Sequence, residues 1–219
     1  MSYDFTVLIP ELIGTHEQAS ALHDAMCTDP DTSAIPDIVV RFMDELHKKY
    51  GYDNDGETGF LSVAPIDGDV RGAVVPTWVG SAGENRAAML ELTREHGLGL
   101  YDTFWQRLYD PRGHIRMRVT LGDGWDVPYL SPGLLHELFT YPHREDPWLT
   151  IHGNEKQHFI QSYFPPGADV AVEHRRGGPD QHYRAFTSDR ELAQRVLWGW
   201  AAGSDDWESA LRWELMDFT

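Results

Sequence analysis

The chain has 219 residues, 41% of them hydrophobic and 12% aromatic with eight Trp, the composition of a packed globular protein rather than a disordered one. Its 18 basic and 35 acidic side chains leave a formal net charge of -17, which repels phosphate backbones and anionic lipid surfaces and favours a basic partner instead. A single cysteine, Cys27, excludes an internal disulfide and suits a reducing compartment.

The acidity is uneven, with 7 basic against 19 acidic side chains up to Asp110 and 11 against 16 after it. The opening Met1-Ser2-Tyr3-Asp4-Phe5 has no basic region, and its apolar run stops at Pro10, too short for a signal peptide. No later stretch approaches membrane-spanning length, so a cytoplasmic protein without a membrane partner is expected.

Tyr3 to Ile9 reads as a buried first strand ended by Pro10. Thr15-x-x-Gln18 has the form of a capping box and opens a first helix carrying Ala19, Leu22, His23 and Met26 at helical spacing. A second helix starts near Pro36, presents Val39, Phe42, Met43, Leu46 and Tyr50 on one face, and stops at Gly51. After the acidic loop with Asp53, Asp55 and Glu57, the segments Gly59 to Ala64 and Ala73 to Val79 read as a hairpin turning at Asp67-Gly68-Asp69. Ser81-x-x-Glu84 opens a third helix that ends at Gly97, and Leu98 and Leu100 continue as a strand toward Tyr101-Asp102. The order β-α-α-β-β-α-β is, apart from the doubled helix, that of a ferredoxin-like sandwich, so a sheet with helices on one face is expected.

The polar stretch Asp110-Pro111-Arg112-Gly113 divides an acidic α+β module, residues 1–110, from a second α+β module, residues 111–219. In the second, Ile115, Met117, Val119 and Leu121 alternate with Arg116, Arg118 and Thr120, a strand with one apolar face. Ser131-Pro132 starts a short helix. An antiparallel meander is expected from strands near Trp148 to His152, Gln157 to Phe164, Asp169 to His174 and Gln181 to Phe186. A closing C-terminal helix begins at the capping box Ser188-x-x-Glu191 and ends before Gly203.

The chain holds no P-loop, no dinucleotide glycine fingerprint after a strand and no Gly-x-Ser-x-Gly elbow. His136-Glu137 has Thr140 where a zincin helix needs its second histidine, and Gly56 comes too early in Asp53-Asn54-Asp55-Gly56-Glu57 for a calcium loop. Histidine and carboxylate side chains bind zinc or relay protons, so His152, His158, His174 and His182, with Glu173 and Asp180 near in sequence, define one reading as a small metal-dependent hydrolase. Solvent-facing strand histidines are the other. The tryptophans near the C-terminal end read chiefly as core, and Arg175-Arg176 as a turn able to meet an acidic group.

Phe159-Ile160-Gln161, Val172-Glu173-His174-Arg175-Arg176-Gly177, His182-Tyr183-Arg184-Ala185 and the closing Gly203, Trp207, Leu211, Arg212, Trp213 and Glu214 resemble an immunity protein family of bacterial polymorphic toxin systems, the group associated with deaminase toxins. The resemblance covers about residues 115–217. The first module is similar to modules of predicted bacterial cytosolic proteins through its Tyr3-Asp4 start, the Phe42 to Tyr50 helix and the segment from Glu95 to Tyr101-Asp102. The resemblance implies a non-enzymatic inhibitor that needs no cofactor and binds a cognate toxin with a basic surface. Asp53, Asp55, Glu57, Asp67, Asp69, Glu173, Arg175 and Arg176 are then the candidate partner-binding residues. A self-associating scaffold protein is the remaining alternative.

Overall fold

A computed structural model describes residues 2–51 and 59–217. The chain is a mixed α+β protein with two antiparallel sheets, one in each of two units, Met1–Arg112 and Gly113–Thr219. No helix among the described residues is long and apolar enough to cross a membrane.

In the first unit, β1 (Ser2–Leu8) is the central strand. It is followed by α1 (His16–Thr28), α2 (Asp37–Tyr50), β2 (Gly68–Asp69), β3 (Gly72–Trp78), α3 (Ala82–His96), β4 (Gly99–Asp102) and β5 (Arg107–Tyr109). The sheet order is β2-β3-β1-β4-β5. Thr15 and Gln18 form the expected capping box at α1, each side chain accepting from the other's backbone N–H. Gly97 has φ +68°, and the Leu98 N–H reaches back to the Thr93 carbonyl. The left-handed residue that ends α3 is therefore one that needs no Cβ.

Register explains why this sheet is covered twice. Thr6 lies opposite both Val74 and Tyr101, and Tyr101 opposite Leu108, so these residues share one face. Leu8, Tyr101 and Leu108 pack there with Ala19 and Met26 of α1. On the other face, Phe5, Val75 and Leu100 are buried under α2 and α3, which bring Phe42, Leu46, Met89 and Leu90. The expected single layer of helices is corrected: the doubled helix supplies the second layer.

The hairpin is also corrected. Residues 59–64 form no strand, and only Leu61 bridges to Thr77, although Ser62 N–H donates to the Pro76 carbonyl beside β3. The paired strand is Gly68–Asp69, within the segment that reads as a turn. Asp69 holds it there, because its carboxylate accepts from the backbone N–H groups of Asp31 and Arg71 and from the Arg71 guanidinium.

The second unit comprises β6 (Ile115–Leu121), β7 (Asp126–Leu130), α4 (Pro132–Thr140), β8 (Trp148–His152), β9 (His158–Tyr163), β10 (Val170–Arg176), β11 (His182–Thr187), α5 (Arg190–Ala202), α6 (Asp206–Ser209) and β12 (Glu214–Leu215). The sheet order β12-β11-β10-β9-β8-β6-β7 has β8 to β11 pairing in succession. The strand β7 carries Pro128 and forms one edge, where a missing N–H interrupts no ladder. In β6 the alternation is broken by a register shift between Arg116 and Val119. At α5 the cap is Asp189, whose carboxylate accepts from Leu192 N–H, rather than Ser188 one residue earlier.

The helices all meet one face of this sheet. Phe139 of α4 stacks on Phe164, Trp200 of α5 meets His158 edge-on, and Trp207 of α6 meets His174. Val172, Ala185, Ile160, Ile151 and Val119 share that face by register and are buried.

Candidate functional site

The opposite face of the second sheet is the candidate site. Among the described residues of this unit no helix is seen on it, and three rows of side chains cross it by register. The first row is Trp148, Tyr163, Ala171 and Phe186, with Tyr163 50% and Phe186 61% exposed. Thr150, Gln161, Glu173 and Arg184 form the second row, and His152, Phe159, Arg175 and His182 the third. Large aromatic rings on a strand face bury apolar area only when something covers them, so Tyr163 and Phe186 leave much of theirs in contact with solvent.

Glu173 is the centre of the second row. It accepts from Gln161 Nε2 at 2.7 Å and from the Arg184 guanidinium, and His182 Nε2 stands 3.3 Å away. Burial lowers the His182 pKa despite that carboxylate, and Arg175 and Arg184 add to the shift. A pocket of about 210 Å³ opens beside Glu173, lined also by Trp148, Tyr163, Gln161 and Ala171.

At the far side of the face, His152 connects Arg118 to Thr120. The Thr120 hydroxyl donates to Asp126 at 2.6 Å, so it accepts from His152 Nε2 at 2.8 Å, and His152 Nδ1 accepts from Arg118 at 3.1 Å. This fixes one neutral tautomer. Burial, helped by Arg118, lowers the His152 pKa. His152 is a donor toward Thr120 here, the reverse of a base activating a nucleophile.

The four meander histidines are divided between the faces. His174 and His158 lie on the helix side, whereas His152 and His182 lie on the open side, three strand intervals or about 14 Å apart. Among the described residues no group of three or more His, Cys, Asp or Glu side chains could hold a metal ion. His174 is only 2% exposed, stacked on Tyr183 and met edge-on by Trp207 and Trp213. Its Nδ1 has no hydrogen-bond partner among the described residues, and burial, then Arg176, brings its pKa down to about 4.

Of the candidate partner-binding residues, Asp53, Asp55 and Glu57 lie outside the described residues. Asp67 is exposed, while Asp69 is 4% exposed and committed to its loop. Arg175 and Arg176 are in β10 rather than in a turn, so they point to opposite faces. Arg175 joins Glu173 on the open face, whereas Arg176 pairs with Glu208 at 3.2 Å and lies over the Trp207 ring on the helix side.

The most deeply buried polar cluster of the first unit was not anticipated. Tyr3 Oη donates to Asp102 at 2.7 Å, Arg86 lies 3.6 Å from the same carboxylate, and the N–H groups of Phe104 and Trp105 donate to it. Burial raises the Asp102 pKa even against these partners, and it also raises that of Tyr3. The pairs Tyr3-Asp4 and Tyr101-Asp102 were the available signal, and they mark a closed internal staple. Cys27 is exposed near His23, and partial burial with Asp4 and Asp24 raises its pKa, the opposite of an activated thiol.

These features define an α+β protein with one doubly covered sheet and one sheet whose helix-free face exposes Tyr163 and Phe186 while Thr150 and His182 on it are buried. No protein-family model, curated protein or solved structure matches the chain.

Proposed function

We propose that the chain is a non-enzymatic, cytoplasmic immunity protein that binds and neutralises a cognate bacterial toxin domain with a basic surface, such as a nucleic-acid-targeting deaminase. The observation that carries this reading is the open face of the second sheet, where half-exposed Tyr163 and Phe186 flank a polar row centred on Glu173. Aromatic anchors in a polar surround are what tight protein interfaces use. The net charge of -17 supports it through steering of a basic partner. On the face itself Arg118, Arg175 and Arg184 stand against Asp126 and Glu173, so long-range attraction belongs to the rest of the chain and short-range fit to the face. For the first unit we read a ferredoxin-like sandwich extended by β5, which the strand order β2-β3-β1-β4 supports.

Co-expression with a toxin-like product, should one be encoded beside this chain, tests the reading. The expected result is a stable complex and loss of toxicity, both weakened at least tenfold in a Tyr163→Ser/Phe186→Ser double variant. Undiminished toxicity with no complex would overturn it.

A further inference from the structure

The pocket beside Glu173 carries a more specific statement about the partner. Its volume of about 210 Å³ holds roughly seven waters at ~30 Å³ each and falls below the ~300–1,000 Å³ of cofactor and drug-sized sites, so it fits one long side chain. Trp148 and Tyr163 are among the lining residues, and the one formally charged side chain among them is Glu173.

The chain displays the matching chemistry on the other side of the same carboxylate. There Arg184 bonds Glu173 while its guanidinium lies 5.9 Å from the centroid of the Phe186 ring. Ala171 separates the two arrangements, with Tyr163 opposite it on β9 and Phe186 opposite it on β11. An aromatic ring, a small central residue and Glu173 thus recur on both sides. Arg184 fills one side, and the pocket is the other.

We infer that this pocket receives an arginine or lysine side chain presented by a protein partner, the cation stacking between Trp148 and Tyr163 on the far side of Glu173 from Arg184. Ring faces attract a cation through their quadrupole, and the planar guanidinium stacks better than an ammonium. Gln161 supplies the acceptor. Its Nε2 is committed to Glu173, whereas among the described residues its Oε1 receives only the Thr150 hydroxyl at 3.4 Å and has capacity for an incoming N–H. Glu173 keeps Arg184 throughout, a carboxylate between two cations. This inference rests on the open face being a protein-binding surface, and it specifies the residue type that enters it.

The test uses the full chain and N-acetylarginine amide as the probe, followed by the indole N–H resonances in 15N NMR, with Trp148 identified by its loss in Trp148→Phe. The expected result is a saturable shift of the Trp148 resonance with the arginine probe, a weaker one with N-acetyllysine amide and none with N-acetylglutamine amide. Glu173→Gln and Tyr163→Ser each weaken the response about three-fold or more. Tyr163 is half exposed, so its truncation keeps the fold and the test intact. An unshifted Trp148 resonance, an equal shift with N-acetylphenylalanine amide, or an arginine response unchanged in both variants would overturn the inference. An arginine response without a toxin complex refutes the toxin reading and leaves the pocket standing, and a toxin complex without an arginine response does the reverse.

Discussion

The two sheets handle the same chemistry in opposite ways. In the first, helices cover both faces, and the Asp102–Arg86 pair is buried with Tyr3 and two backbone N–H groups closing the carboxylate's remaining sites. In the second, helices cover one face, and Glu173 meets Arg184 where the arginine side chain is 40% exposed. A pair out of water contributes only if every partner is present, because an orphaned charge cannot be resolvated. A pair at the surface contributes little to folding. The lesson is that the first sheet closes its Asp102 pair inside the fold, whereas the second leaves the Arg184 end of its Glu173 pair in contact with solvent.

That contrast is most exposed to failure at Asp102. Asp102→Ala leaves Arg86 buried without its carboxylate and is expected to destabilise the first unit by about 3–5 kcal/mol in urea denaturation, with Asp102→Asn costing less. A cost below about 1 kcal/mol would show that the cluster is not a staple.

His174 comes next. Its imidazole takes a proton near the ordinary 6.5 when unfolded but only near about 4 when folded, so between these values the unfolded chain binds more protons. The His174 contribution to stability is therefore full above the upper value, falls as pH is lowered through the window, and is lost, at about 3 kcal/mol, below it. His174→Phe should flatten this acid limb, read as the urea midpoint against pH. An unchanged limb would assign it to other groups.

Smaller effects separate two aspartates in the first unit. Asp69→Ala removes the acceptor for two backbone N–H groups and Arg71 and should cost about 1–3 kcal/mol, whereas Asp67→Ala should stay within about 0.5. The smallest folding change is expected on the open face. Tyr163→Ser and Phe186→Ser should each move the denaturation midpoint little, within about 0.5 kcal/mol, while weakening partner binding. A large folding cost there would close the distance between the two sheets.

Much of this architecture is written locally. Thr15 and Gln18, the Val39-Phe42-Leu46 stripe, Gly97 and Gly203 mark helix ends and faces through backbone chemistry that needs no tertiary partner. The strands β5 and β12 have three and two residues, too short for periodicity to register, and Pro128 disguises β7 because proline argues against a strand unless the strand is an edge. The site was legible in composition but not in placement. A strand alternates every residue, so whether His174 or His182 faces the helices depends on register, and a shift of one residue inverts the answer. Arg175 and Arg176 look like a pair in one dimension and are separated by the sheet in three. Asp67 and Asp69 differ because Arg71 folds back on one of them, a contact that residue type alone does not announce.

The proline in β7 has a consequence for how copies of this protein behave when crowded. A second strand approaching that edge finds a missing donor in the middle of a five-residue ladder, so the edge is a poor template for growth into a fibre. A protein that shows half-exposed aromatic rings on a sheet face gains solubility from that one missing hydrogen, because stacking at the face cannot recruit continuous pairing along this side.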